Sequence, residues 1–422
     1  MISYIERVKK VNTLVKSSAW LLAGQMCSRG SLMLAAMILS RSFGADDFAA
    51  YSYFQLTVAM LSAYAAMGLG VTSSRYFSEF GYENSNGSPF PLGTLWKASI
   101  ALAIVIFFVL LFVPNDWLTA GLDVPRWLLA TGVLALTLQV VPGGAILGLE
   151  KYRQSAFISM FSGSVMLTGA YLAATMKSPA LGMIAIVASS LVQSVGESLV
   201  VIKTVGLQRL ATQPKNIQRD FRTILKFAGP MLLVSMMAAS GPWLLGRLIL
   251  SNDNATYNFS RYSIGLQWYA IALFLPGMVS RVILPRIVRL ANNNTVEKKK
   301  IVQQGAWLAG AAAFSMAALI SMFSPVLMQL YGYDSYETGW FITGYLLAAV
   351  IGAPLNTIGN AIVADGGQKQ WLALTAIWLT ALGSIGSIMT WVGHLYPYVV
   401  LAGAAISQTI TALYVARLRK LI

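Results

Sequence analysis

The sequence predicts an all-α integral membrane protein of about twelve transmembrane helices in two six-helix lobes. Three observations carry this prediction. Hydrophobic residues make up 57% of the 422 residues and charged ones only 11%, against roughly 25% charged in a soluble domain, and the mean hydropathy is +0.66. Apolar runs of about 20 residues, enough to cross a ~30 Å hydrocarbon core, recur along the whole chain. A short pattern is also stated twice, half a chain length apart.

Taken in order, the spans read as 18–40, 49–70, 95–114, 127–149, 155–176 and 180–203 in the first half. The second half gives 224–250, 257–284, 301–323, 338–362, 371–392 and 394–416. The polar, basic stretch 208–222 reads as a cytoplasmic linker between a first lobe, 1–207, and a second, 223–422. An even number of spans places both termini on one side, and charge says which. With the N-terminus inside, 23 of the 30 basic residues fall in cytoplasmic segments, and only Arg41, Arg126 and Lys177 fall outside. That asymmetry is the positive-inside rule, and it accounts for most of the +15 net charge without nucleic acid. The opening "MISYIERVKK" lacks the layout of a cleaved signal peptide, so the first hydrophobic segment is expected to stay as a helix.

The repeated pattern is "ILSRSFGADDFAAYS" from Ile38 to Ser52 and "ILSNDNATYNFSRYS" from Ile249 to Ser263, at an offset of 211 without a gap. Ile38/Ile249, Leu39/Leu250, Ser40/Ser251, Phe48/Phe259, Tyr51/Tyr262 and Ser52/Ser263 are identical. Each copy ends one helix, turns, and begins the next. The same offset pairs Arg75 with Arg286, and at an offset of 216 "AILGLEKYRQ" pairs with "AIVADGGQKQ", Arg153 matching Lys369. Six spans per half make the copies enter the membrane in the same direction, as parallel repeats.

"LSRSFGADDFAAYSYFQL" resembles the R-x-L-G-x-x-x-F-G-x-Y signature of Wzx-type polysaccharide flippases, in the multidrug/oligosaccharidyl-lipid/polysaccharide (MOP) exporter superfamily. "LKFAGPMLLVSMM" and "ILPRIV" resemble that family's seventh-helix proline and its L-P-R element after the eighth. Two departures matter. Ala49 stands where the family usually has Gly, and Gly246-Arg247 stands where an Asp-Arg pair is common, so no role of that Asp carries over. The resemblance implies a MATE-like fold, two lobes facing each other across a central cavity that opens to alternate sides. It implies a bacterial inner-membrane flippase moving undecaprenyl-diphosphate-linked oligosaccharides, such as O-antigen units, to the outer leaflet by alternating access. Membrane lipids and other polysaccharide-assembly proteins are the implied partners.

Polar groups inside the spans are the candidates for chemistry, because even the low estimate for a central Arg or Asp is about 2.5–3.5 kcal/mol. Gln25 and Arg29 lie four residues apart, as do Gly24 and Ser28, making one polar stripe on the first helix. Such a stripe faces a cavity or another helix; the structural alternative binds Arg29 to backbone carbonyls. Arg247 and Arg281 sit near span ends, where snorkelling explains them. Arg261 precedes Tyr262 in the repeat, on a helix that the resemblance places beside the cavity. Tyr51 and Tyr262 are candidates to stack on sugar rings. Glu197 is the one acidic residue inside a span, and Ser190, Gln193, Ser194 and Glu197 share a helix face. Two readings stand for it: a proton-coupling group, or an interfacial carboxylate near Lys203. Pro142, Pro230, Pro242, Pro276 and Pro354 interrupt spans, as in bent transporter helices. Asn356 and Asn360 suit interhelix hydrogen bonding.

One Cys, Cys27, and one His, His394, exclude an intrachain disulfide and any metal site built from Cys and His in the usual number. No cofactor motif is present; "GLGVTS" ends a membrane helix and follows no strand. Neither a nucleophile–base arrangement nor a phosphate-binding loop appears, so an enzyme is not expected. Four Arg against one Glu within the spans favour an anionic substrate. A multidrug or organic-cation antiporter of the same superfamily is the alternative, although cations call for several buried carboxylates. A membrane polysaccharide polymerase ranks lower, because the outer links are short.

Overall fold

The computed structural model describes residues 2–66, 68–82, 92–206, 210, 217–252, 254–278, 280, 295–333, 335–419 and 421. Within these, side chains are described except at 2–18, 21, 71, 75, 79–82, 92, 115, 217–228, 295 and 335–340. Most of the predicted linker, Arg281, and the Arg75/Arg286 pairing lie outside what is described. All regular structure among the described residues is helical. The chain divides into two compact units, Met1–Ala228 and Gly229–Ile422.

The first unit holds α1 (Ile2–Ser42), α2 (Ala45–Ala66), α3 (Leu69–Tyr82), α4 (Leu92–Phe112), α5 (Asn115–Thr119), α6 (Arg126–Gly148), α7 (Tyr152–Thr175) and α8 (Pro179–Val205). The helix α9 (Ile217–Leu250) begins before the division and continues into the second unit. That unit then carries α10 (Ala255–Ala272), α11 (Thr295–Met322), α12 (Ser324–Leu330), α13 (Ser335–Ala364), α14 (Gln368–Trp391) and α15 (Pro397–Leu418).

Ten helices among the described residues are long and apolar enough to span a membrane, and each matches one of the twelve predicted spans. The two predicted spans outside this set correspond to α2 and α10, the second span of each half. Both are diluted by Tyr, Ser and Gln, and α2 buries twelve of its 22 residues inside its own unit. The short α5 and α12 follow the third span of each half; neither is apolar or long enough to have been read from the sequence. Gly68, at φ 71°, separates α2 from α3, a backbone state in which other residues are strained.

Close approach in the first unit rests on glycine against backbone. A Cβ at Gly144 would lie 2.2 Å from the Gly70 carbonyl oxygen, and one at Gly148 would lie 2.3 Å from that of Ser74. This small-x-x-x-small pairing seats α3 on α6. Ser73 donates to the Val141 carbonyl at 2.8 Å and Ser99 to that of Thr137 at 3.2 Å, so hydroxyls from α3 and α4 serve the α6 backbone beside Pro142. In the second unit glycines instead meet rings: a Cβ at Gly265 would lie 2.3 Å from Tyr345, and one at Gly241 2.3 Å from Trp378.

The repeated pattern has the same packing role in both units. Phe48, Tyr51, Phe259 and Tyr262 are all fully enclosed. Phe48 pairs with Tyr51 at 6.2 Å between centroids, and Phe259 with Tyr262 at 5.8 Å.

Candidate functional site

The first unit contains a polar cleft built by small residues. A Cβ at Gly24 would lie 2.9 Å from Ala156 Cα, and one at Gly163 would lie 3.0 Å from Ser31 Oγ, so α1 and α7 run in close contact. That contact sets Gln25 and Ser28 of α1 beside Ser155 and Ser159 of α7. Gln139 and Gly143 of α6 and Gln193 and Glu197 of α8 complete a cavity of about 150 Å³. A second cavity, about 210 Å³, shares Ser28, Gln139 and Gln193 and continues past Ser31, Gln55, Ser162, Ser189 and Ser190. Together they form a track of amides and hydroxyls through a unit whose helices are otherwise apolar.

Among the described residues Glu197 is its one acidic lining residue, and it is 3% exposed. Gln193 Nε2 donates to Glu197 Oε1 at 3.2 Å and lies 3.4 Å from Ser159 Oγ. Glu197 Oε2 is buried without a hydrogen-bond partner among the described residues. Gly143 makes room for it, since a Cβ there would approach this oxygen to 3.2 Å. Among the described residues, no Lys or Arg lines either cavity. A carboxyl so placed is suited to hold a proton or a small cation, because an ionised, unpaired carboxylate in such surroundings is costly. At one end, the Trp20 and Phe157 rings lie 5.5 Å apart, tilted by 39°, and the exposed Arg153 guanidinium sits 5.6 Å from each ring.

The predicted stripe on α1 divides. Gln25 and Ser28 line the cavity, whereas Arg29 is exposed on the surface of its unit and lines neither cavity. Arg261 and Tyr262 belong to an aromatic cluster in the second unit. The Arg261 guanidinium lies 4.6 Å from the Phe341 centroid and 5.6 Å from that of Tyr257. The Tyr262 hydroxyl donates to the Pro242 carbonyl at 2.7 Å, and its ring neighbours Tyr345 at 6.3 Å. Tyr51 and Tyr262 are both 0% exposed, so in this conformation neither ring offers a face for stacking on a sugar. Asn356 is exposed, and its neighbour Thr357 makes an interhelix hydrogen bond, 2.9 Å from Ser280 Oγ. Among the described residues no cluster of His, Cys, Asp and Glu could hold a metal ion.

Sequence reasoning missed Gln139, Gly143 and the α7 serines. Ser155, Ser159 and Ser162 follow an i, i+4, i+7 spacing that marks one helix face. Gln139 and Gly143 are also four apart, on the helix carrying Pro142.

With this geometry in hand, the chain has the fold of the MOP-superfamily transporters, as its motifs had suggested. It is similar to a multidrug resistance MATE family transporter of that superfamily in an inward-facing conformation, with a TM-score of 0.71 and 15% identity. That likeness covers 96% of this chain and 98% of the other. A MOP superfamily transporter from Pyrococcus furiosus, described as having a binding pocket of reverse polarity, aligns at a TM-score of 0.60 and 16% identity, covering 96% and 95%. In sequence the chain is 22% identical over 275 residues to the EPS I polysaccharide export inner membrane protein EpsE of Ralstonia solanacearum, covering 64% of this chain. It is 20% identical over 299 residues to the protein of that name from Ralstonia nicotianae, covering 67% of this chain. The matched stretches span 62% and 64% of those relatives' own length. No protein-family model matches the chain.

Proposed function

We propose that this protein exports polysaccharide as lipid-linked oligosaccharide units, carrying an undecaprenyl diphosphate head group and its glycan to the outer leaflet of a bacterial cytoplasmic membrane, both termini lying inside. The observation that carries the reading is Arg29: an exposed guanidinium within the spanning segment Leu22–Ser42. In plain hydrocarbon that charge costs about 2.5–3.5 kcal/mol by the low estimate, so its surface position fits contact with an aqueous, anion-bearing passage. Arginine holds phosphate oxygens through paired donors, and Arg261 offers a second guanidinium braced between Phe341 and Tyr257. Similarity to polysaccharide export proteins supports the same substrate class. Potential, negative inside, assists export of the anion by about 2.3 kcal/mol per charge per 100 mV. Glu197, in its polar cavity, is the group that couples a proton to the cycle.

The test is a deletion strain scored for the leaflet that holds labelled lipid-linked glycan. Accumulation on the cytoplasmic side, reversed by the intact gene, is expected. Normal surface glycan with heightened drug sensitivity would replace the reading with that of a drug exporter.

A further inference from the structure

An open groove on the second unit lies between α11 and α15 with α13 beneath it, and the proposed transport route makes no use of it. Its volume is about 970 Å³. On α11 it is lined by Lys300, Gln303, Gln304, Trp307, Leu308 and Ala311, one face of the helix by their spacing, with Ala306 beside them. Ile358 of α13 and Leu413 of α15 complete it.

The groove is graded along its length. Cationic and amide groups occupy one end and apolar groups the rest. From Lys300 to Ala311 the helix rises about 16 Å, close to half of a ~30 Å hydrocarbon core. Trp307 lies about 10 Å along the helix from Lys300 and is 81% exposed. Leu308, Phe314 and Leu319 on the same helix are exposed as well.

Among the described residues, cations outnumber carboxylates at the polar end, with Lys298, Lys299, Lys300 and Arg419 set against Glu297 and Asp365. Asp365 is shared by two cations: Lys298, only 6% exposed at its side chain, and Arg419, whose Nη1 lies 3.0 Å from Asp365 Oδ2 and 2.8 Å from the Asp365 carbonyl oxygen. One carboxylate thus serves two cations, and Lys299 and Lys300 stand next to them, both exposed.

From these features we propose that the groove binds one anionic glycerophospholipid, with its phosphate at Lys300 and Gln304 and one acyl chain along Trp307, Leu308 and Leu413. A cationic, amide-bearing rim complements a phosphate diester, and the apolar floor complements a chain of one leaflet's depth. The site is independent of the exporter reading, because it lies within the second unit and contains none of Arg29, Glu197 or Arg261.

The test uses the purified full chain and native mass spectrometry, titrating palmitoyl-oleoyl phosphatidylglycerol against palmitoyl-oleoyl phosphatidylcholine. One tightly held lipid is expected, with about fivefold preference for phosphatidylglycerol, the scale of one lysine at a charged surface. Lys300→Ala removes most of that preference. Trp307→Ala weakens both lipids alike. Lys299→Ala, on the same turn but outside the groove, leaves binding as it was. Equal affinity for the two lipids in the unaltered protein, equal loss in Lys299→Ala and Lys300→Ala, or a lipid-free dimer joined through this face would overturn the site.

Discussion

Glu197→Gln is the sharpest perturbation of the proposed coupling. The amide is nearly isosteric, and its oxygen still accepts the bond that Gln193 Nε2 now gives at 3.2 Å. The fold should therefore be intact and only the titrating group lost. Because Glu197 is the sole acid lining the two cavities among the described residues, one proton per cycle is the stoichiometry expected of this route. One proton moving down a gradient of one pH unit supplies about 1.4 kcal/mol, or tenfold in an accumulation ratio. The assay is flipping of a fluorescent lipid-linked oligosaccharide in proteoliposomes, with the compartment receiving substrate made one unit more acid. The unaltered protein should respond by up to tenfold, and Glu197→Gln by less than twofold at equal reconstitution. A Gln variant that keeps the full response would refute the assignment, whatever its basal rate. Gly143→Ala should fall between them, because its Cβ would crowd Oε2 at 3.2 Å without removing it.

Arg29→Ala should lower flipping about tenfold, the scale of one charge-assisted phosphate contact, while Arg29→Lys restores a substantial part; full activity of the Ala variant at equal expression removes Arg29 from the mechanism. Gly148→Ala should destabilise the first unit by at least about 1–3 kcal/mol, because the new methyl meets the Ser74 carbonyl 2.3 Å away; a fluorescence-detected thermal unfolding curve is the check. Asp365→Ala strands Lys298, and since Asp365 is 27% exposed the loss should lie near the lower end of the ~3–5 kcal/mol for breaking a buried pair. Thermal unfolding of that variant should recover in part with Lys298→Met added.

The spans were legible because hydrocarbon thickness imposes a length and an apolar run that no other pressure mimics. The short helices α5 and α12 left no such mark: five and seven residues carry too little periodicity to read. Half of the polar cavity was visible as the Gln193–Glu197 stripe on one helix. Its other half was hidden, because Gln139 and Gly143 acquire meaning only when α6 lies against α8. Gln25 and Arg29 diverged for a geometric reason: residues four apart differ by about 40° around the axis, enough at a helix–helix seam to send one inward and leave the other outside. Tyr51 and Tyr262, read as candidates to stack on sugar, are enclosed in this conformation. A residue repeated at the same place in two halves marks a shared demand, and here both tyrosines fill the junction beside Phe48 and Phe259.

The contrast between glycine on backbone and glycine on ring has a consequence for how the two halves tolerate change. Where Gly265 faces Tyr345, trimming the ring creates space for a methyl, so a damaging substitution has an available suppressor on the neighbouring helix. Where Gly148 faces the Ser74 carbonyl, no side-chain exchange can vacate the main chain. Second-site revertants should therefore be recoverable at Gly265 and Gly241 and scarce at the α3–α6 seam, where the obstacle is the main chain itself.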